Sequence, residues 1–254
     1  MTRTGLTLSP SPLRVLDRAI LILRQDIGRL LLAMTVFFLL PYLAGYFIIY
    51  KPLIDGSRDF SQGFSTEYLI RYYSFTATYF VLHALAFCVT GRLIHDRLRG
   101  ATTTFLQAVR DAPWLWLRGL LPYLLLSGLS YLGQAWVVPA VLIAFVSTFL
   151  LPAFMLERHG LITAVRTGWS LCRGRVFISL IDVALVMASS YAAQWLIGWV
   201  NGRFASMLSF ATASIVLNVM HAMVQLVVTA CLLSLYACCR ELAKPPGEVA
   251  QLFD

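Results

Sequence analysis

The chain has 254 residues, 59% of them hydrophobic and 13% charged, with a mean hydropathy of +0.76. Soluble domains run at about 45–50% apolar and about 25% charged, so a single water-soluble domain is excluded and the missing solvent is lipid. Twenty Lys and Arg against 12 Asp and Glu give a net charge of +8. These basic residues fall in the gaps between apolar runs and build no basic stretch interleaved with aromatics, which argues against nucleic acid as a partner.

The N-terminal segment carries Arg14, Arg18, Arg24 and Arg29 around its first apolar stretch, and no small-x-small cleavage site follows. It is expected to stay in place and not to act as a removable signal peptide. Ser11 followed by Pro12 reads as a helix cap, with proline at a position where no amide is needed. Residues 30–49 are uncharged and, at 1.5 Å per residue, just cross a hydrocarbon core of about 30 Å. Residues 72–91 form a second uncharged run, entered through interfacial Tyr72 and Tyr73 and left through Arg92.

Thr104 followed by Gln107 has the form of a capping box, and Pro113 is expected to end the short helix it starts. Residues 119–156 hold 38 positions without a charge, about 57 Å as one helix, so they must fold back. Gly133, Gln134 and Pro139 mark the turn, giving spans over about 119–133 and 136–156. The fifth span is 176–200, interrupted by Asp182. Residues 204–239 are again too long for one perpendicular span. Within them 205–214 read as an interfacial or packed extension and 215–238 as the sixth span, with a seventh span left open.

Charge asymmetry supports six spans. Sixteen of the 20 basic residues fall in the N-terminal segment, the second-to-third and fourth-to-fifth connections and the C-terminal tail. The other side holds only Lys51, Arg58, Arg71 and Arg203. Both termini then lie in the cytoplasm, and a seventh span would put Arg240 and Lys244 on the wrong side. The expected fold is an all-α polytopic transmembrane bundle of six helices, one integral membrane domain over 1–254. Three cytoplasmic interfacial amphipathic helices precede its hairpins. In the third of these, Thr163, Arg166, Thr167, Ser170 and Arg173 lie opposite Leu161, Ile162, Val165, Trp169 and Cys172.

The three segments align as pseudo-repeated helix-plus-hairpin units. Ala19 and Arg29, Ala108 and Arg118, and Ala164 and Arg175 are separated by ten, ten and eleven positions, and Ala-Val-Arg recurs at 108–110 and 164–166. The stretch Pro152-Ala153-Phe154-Met155-Leu156-Glu157, then Gly160, then 164–175 (AVRTGWSLCRGR) resembles the signature of the glycerophosphoryl diester phosphodiesterase membrane-domain family and its uncharacterised bacterial inner-membrane relatives. That resemblance implies a six-span bundle of helix-hairpin units, although Thr167 and Gly168 stand where the family usually has Arg or Lys and Ser. The phosphodiesterase chemistry is not expected to carry over, since the catalytic barrel of some members would follow the membrane part and no room for it is read after the last span.

Asp182 is the one acid inside a span, either a proton- or substrate-linked group or a member of a buried ion pair with Arg173 or Arg175. His83 and His221 also sit among apolar residues, and Asn218 and Gln225 share a face with His221, which suggests interhelical hydrogen bonding. Neither HExxH, GxSxG nor a phosphate loop occurs, so no catalytic, metal or cofactor site is expected. Cys88, Cys172, Cys231, Cys238 and Cys239 are odd in number and read as packing residues. Ala184, Ala188, Ser189, Ala192 and Ala193 make a small face on the fifth span suited to self-association or a protein partner. Pro41 and Pro152 are expected to kink their helices.

The functional expectation is a non-catalytic integral protein of the bacterial inner membrane, a scaffold or accessory factor. It would contact anionic lipid through Arg110, Arg118, Arg166, Trp169, Arg173 and Arg175. The alternative is a transporter or lipid-handling permease using Asp182 as a coupling residue. An intramembrane enzyme would need Asp182, His83 and His221 to converge.

Overall fold

Uncharged runs of this length satisfy their own backbone groups only as helices, and the computed structural model is all-helical over the residues it describes, 11–45, 47, 66–133, 137–173, 175–204 and 210–243. Helix α1 starts at Pro12 with the Ser11 side chain accepting from the Arg14 amide at 3.2 Å. It runs to Met34 and continues through a π-turn, Thr35–Leu39, into Leu40–Gly45. Helix α2 is Thr66–Leu98, α3 is Phe105–Gly133, and α4 is Val137–Leu151, extended by a second π-turn, Pro152–Leu156. A short α5, Leu161–Cys172, precedes α6, Val176–Phe204, and α7, Phe210–Ala243.

Four of these helices are long and apolar enough to cross a membrane: Pro12–Gly45, Val138–Leu156, Val176–Val200 and Ile215–Ala243. The other two expected spans fall short for physical reasons. Helix α2 spends part of its uncharged run on Tyr, Thr and His, and it is the inner helix of its layer, with Ala84, Ala86, Cys88, Val89 and Ile94 at 0–1% exposure. In α3 the uncharged stretch within the helix runs from Gly119 to Gly133 and is only 15 residues long.

Helix α1 packs on α2 and α7, α2 on α3 and α7, α3 on α4, α4 on α5 and α6, and α6 on α7. One apolar cluster joins α1, α2, α3 and the end of α4, and a second joins α4, α5 and α6. Helix α7 belongs to both, giving Ala222, Leu226 and Ala230 to the first and Leu235, Tyr236 and Cys239 to the second. Polar groups within the helices return to their own backbone, as Thr90 does to the Ala86 carbonyl and Thr148 to that of Ala144, both at 2.7 Å.

Three expectations about the cytoplasmic segments change. The first two in-plane helices are not separate, since α1 runs unbroken from Pro12 into the first span and α3 passes through Pro113 to Gly133. Pro113 lies on the exposed side of α3 while its neighbours Ala112 and Leu115 are buried, so inner-face packing holds the helix across the proline. The capping box is present, with Thr104 and Gln107 exchanging backbone-to-side-chain hydrogen bonds at 2.9 and 3.3 Å. Only α5 stands as a discrete short helix among the described residues. Beside the two prolines expected to kink their helices stand π-turns, Thr35–Leu39 before Pro41 and Pro152–Leu156 beginning at Pro152, in which the Leu40 amide reaches Thr35 and the Glu157 amide reaches Pro152. Residues 210–214 belong to α7 itself, while 205–209 and the hairpin tip at Gln134 lie outside the described residues.

Candidate functional site

Helix α5 has three faces. Ala164, Gly168, Leu171 and Cys172 are buried, and the closest approach is at Gly168, whose position for a Cβ lies 3.4 Å from the Phe149 backbone of α4. Cys172 therefore belongs to this packed face and not to the exposed apolar one. Leu161, Ile162, Val165 and Trp169 point outward, with Ile162 71% and Trp169 65% exposed. Arg166, Ser170 and Arg173 make the third, polar face and are also exposed. Small residues permit the close approach, and the outward apolar row beside arginines is the pattern of a helix lying in a membrane interface.

The six residues expected to meet lipid headgroups divide into two groups. Arg110, Arg166, Trp169 and Arg173 lie on the surface. Arg118 and Arg175 are internal ties. Arg118 donates to the His159 carbonyl and stands over the Phe154 ring at 5.0 Å, while Arg175 donates to the Leu242 carbonyl at 3.3 Å. These two residues hold the chain reversal after α4 and the end of α7, respectively.

Asp182 is 3% exposed, and among the described residues no hydrogen bond or ion pair reaches either carboxylate oxygen. Arg175, seven positions earlier and just before α6, is directed to Leu242 instead. The side chain lines a cleft of about 480 Å³ between α6, α7 and the first turns of α1. Ser189 and Ser190 are the other polar residues lining it, so the walls are apolar rather than a polar path.

His83 hydrogen-bonds Tyr123 of α3 and meets the Phe38 ring edge-on at 5.5 Å. His221 stands 3.5 Å from Gln225 and near enough to His83 to interact electrostatically. Asn218 lies one turn before His221 on α7. Asp182 does not join them: it interacts with Cys239, which is 18 residues, or about 27 Å of helix, beyond His221. The three groups an intramembrane enzyme would need are therefore not brought together, and among the described residues no three His, Cys, Asp or Glu side chains gather to hold a metal ion.

The densest polar arrangement was not singled out by the sequence. Glu157, 3% exposed at the end of the second π-turn, is paired with Arg240 of α7. It is flanked by His95 of α2 at 4.0 Å and His159 at 3.9 Å. Arg240 also donates to the Tyr236 hydroxyl at 3.3 Å. Alongside, Arg92 pairs with Asp96 at 2.8 Å and donates to the Leu156 carbonyl at 3.3 Å, and Thr103 donates to Asp96 at 2.5 Å. Burial, reinforced by Arg99, Arg92 and Arg240, pulls the His95 imidazole from 6.5 down to about 4, so it is neutral at neutral pH. Glu241 accepts from Arg18 of α1 in a two-pronged pair at 2.7 Å, and Arg97 of α2 reaches Asp26 of α1 at 3.2 Å. This end of the bundle is thus laced by charged pairs between α1, α2, α4 and α7. The Arg92–Asp96 spacing of four was a visible signal, as was an acid directly after a 38-residue uncharged run.

Compared with protein families, with curated proteins and with solved structures, the chain matches none.

Proposed function

We propose that the chain is a non-catalytic integral membrane protein, a scaffold or accessory factor of a bacterial inner membrane with six spans and both termini in the cytoplasm. It works by holding a lipid-reading surface on a braced bundle. The lipid-reading surface is α5 with neighbouring Arg110, and its ligand is the anionic headgroup. The single observation that carries this is the three-faced α5: a small buried side, an outward row of Leu161, Ile162, Val165 and Trp169, and Arg166 with Arg173 beside that row. The absence of convergence between Asp182 and the two histidines favours binding over catalysis.

In this reading the helix-hairpin pseudo-repeat and the resemblance to the phosphodiesterase membrane-domain family describe architecture only. The exposed Ala188, Ser189 and Ala192 of α6 offer a surface for self-association or for a protein partner.

At about 1 kcal/mol per basic residue near an anionic surface, the double variant Arg166→Glu/Arg173→Glu should lose about 2–4 kcal/mol of lipid-dependent stabilisation. Unfolding midpoints in phosphatidylglycerol and in phosphatidylcholine nanodiscs measure it. Wild type is expected to gain stability from the anionic lipid and the variant to lose that gain, whereas equal behaviour in both lipids sinks the proposal.

A further inference from the structure

The Asp182 cleft supports a separate inference that does not depend on headgroup binding by α5. A carboxylate within a transmembrane helix costs at least about 2.5–3.5 kcal/mol unless something neutralises it. Asp182 is buried, no hydrogen bond or ion pair reaches its oxygens among the described residues, and it borders one end of the cleft. On α6 the cleft follows Asp182, Leu185, Val186, Ser189 and Ala193, one helix face running about 16 Å from the acid. The opposite wall is Met223, Val227 and their neighbours on α7, and Pro12, Val15 and Leu16 of α1 cover the end nearest the cytoplasm. Leu185, Val227 and Leu16 are 44–52% exposed, so one long side opens toward the surrounding lipid.

A site that is negative at one end, apolar along its length and open to the bilayer selects a cation with a long apolar tail. The tail replaces lipid against the valine and leucine walls. The head needs N–H donors, because both Asp182 oxygens lack a hydrogen bond and burial makes each missing bond costly. A primary ammonium supplies three donors on a compact charge, while a quaternary ammonium supplies none. We propose that this cleft binds a single-chain amphiphile with a primary ammonium head, the head on Asp182 and the chain along Leu185–Ala193.

The test uses the full chain in phosphatidylcholine nanodiscs, with empty discs subtracted. Dodecylamine should bind saturably and raise the unfolding midpoint. Dodecanol, dodecyltrimethylammonium and propylamine, which lack respectively the charge, the donors and the tail, should each bind at least about tenfold more weakly, as should dodecylamine to Asp182→Asn. Leu185 is a surface position, so Leu185→Trp keeps the fold, fills the cleft with Asp182 intact and should weaken binding to a similar extent. If dodecanol binds as well as dodecylamine, or if either variant binds like wild type, the proposal is wrong. Displacement of dodecylamine by phosphatidylethanolamine would reassign the site to a lipid headgroup and overturn the single-chain occupant.

Discussion

Glu157 and Arg240, 83 positions apart in sequence, form an ion pair of a buried carboxylate with a half-buried guanidinium at the point where α2, the end of α4 and α7 meet. Removing one member of such a pair strands the other, which costs more than the pair itself contributes. Glu157→Gln is expected to lower stability by about 3 kcal/mol, and Glu157→Leu/Arg240→Met to recover a large part of it. Urea or thermal unfolding in nanodiscs measures both. Additive losses in the double variant would show that the two side chains do not act on one another.

His95 sets a pH limit on the same region. It lies beyond the uncharged run of α2, faces Glu157, Arg92, Arg99, Arg240 and Tyr236, and has its pKa depressed from 6.5 to about 4 chiefly by burial. Between those values the unfolded chain takes up a proton that the folded protein refuses, so stability falls with falling pH across that window and is fully present above it. The loss reaches about 3 kcal/mol near pH 4. His95→Gln should flatten the profile of unfolding midpoint against pH from 7 to 4, and an unchanged slope would place the titration elsewhere.

Arg118 distinguishes internal bracing from lipid contact. Its hydrogen bond to the His159 carbonyl and its position over Phe154 predict that Arg118→Ala loses about 2 kcal/mol whatever the lipid charge. A loss confined to anionic discs would return Arg118 to the headgroup surface, with Arg110 and Arg166.

Gly119 marks a tight approach of α3 to the end of α4. A Cβ there would lie 2.2 Å from the Met155 Cε and 2.7 Å from its Cγ, and Met155 is fully buried. Gly119→Ala improves helix propensity by about 1 kcal/mol yet should still destabilise by about 1–2 kcal/mol net. Met155→Ala in the same chain should make the second substitution harmless, which a double-mutant cycle of unfolding free energies reads directly.

The legible features were local ones. Capping by Ser11 and by Thr104 with Gln107 and the isolation of Asp182 within an apolar run each depend on residues within a few positions of one another. The helix through Pro113 was not legible, because Ala112 and Leu115 hold it only once a partner covers them. Nor was the Glu157 cluster, whose members come from positions 92–103, 156–159 and 236–240 and meet only after α2, α4 and α7 have packed. The arginines show the same division. Their spacing between apolar runs is read from the sequence, but which of them stay on the surface depends on where Leu242, His159 and Glu241 come to lie.

Helix α7 serves both apolar clusters and carries Arg240, and this has a consequence for the order of assembly. At about 5–20 residues per second, synthesis takes roughly 4–17 s to pass from Glu157 to Arg240. During that interval the carboxylate lacks its Arg240 partner, and the inner faces of α2 and α4 have no α7 against which to close. The contacts that tie α2 and the end of α4 to α7 are therefore the last that synthesis makes available.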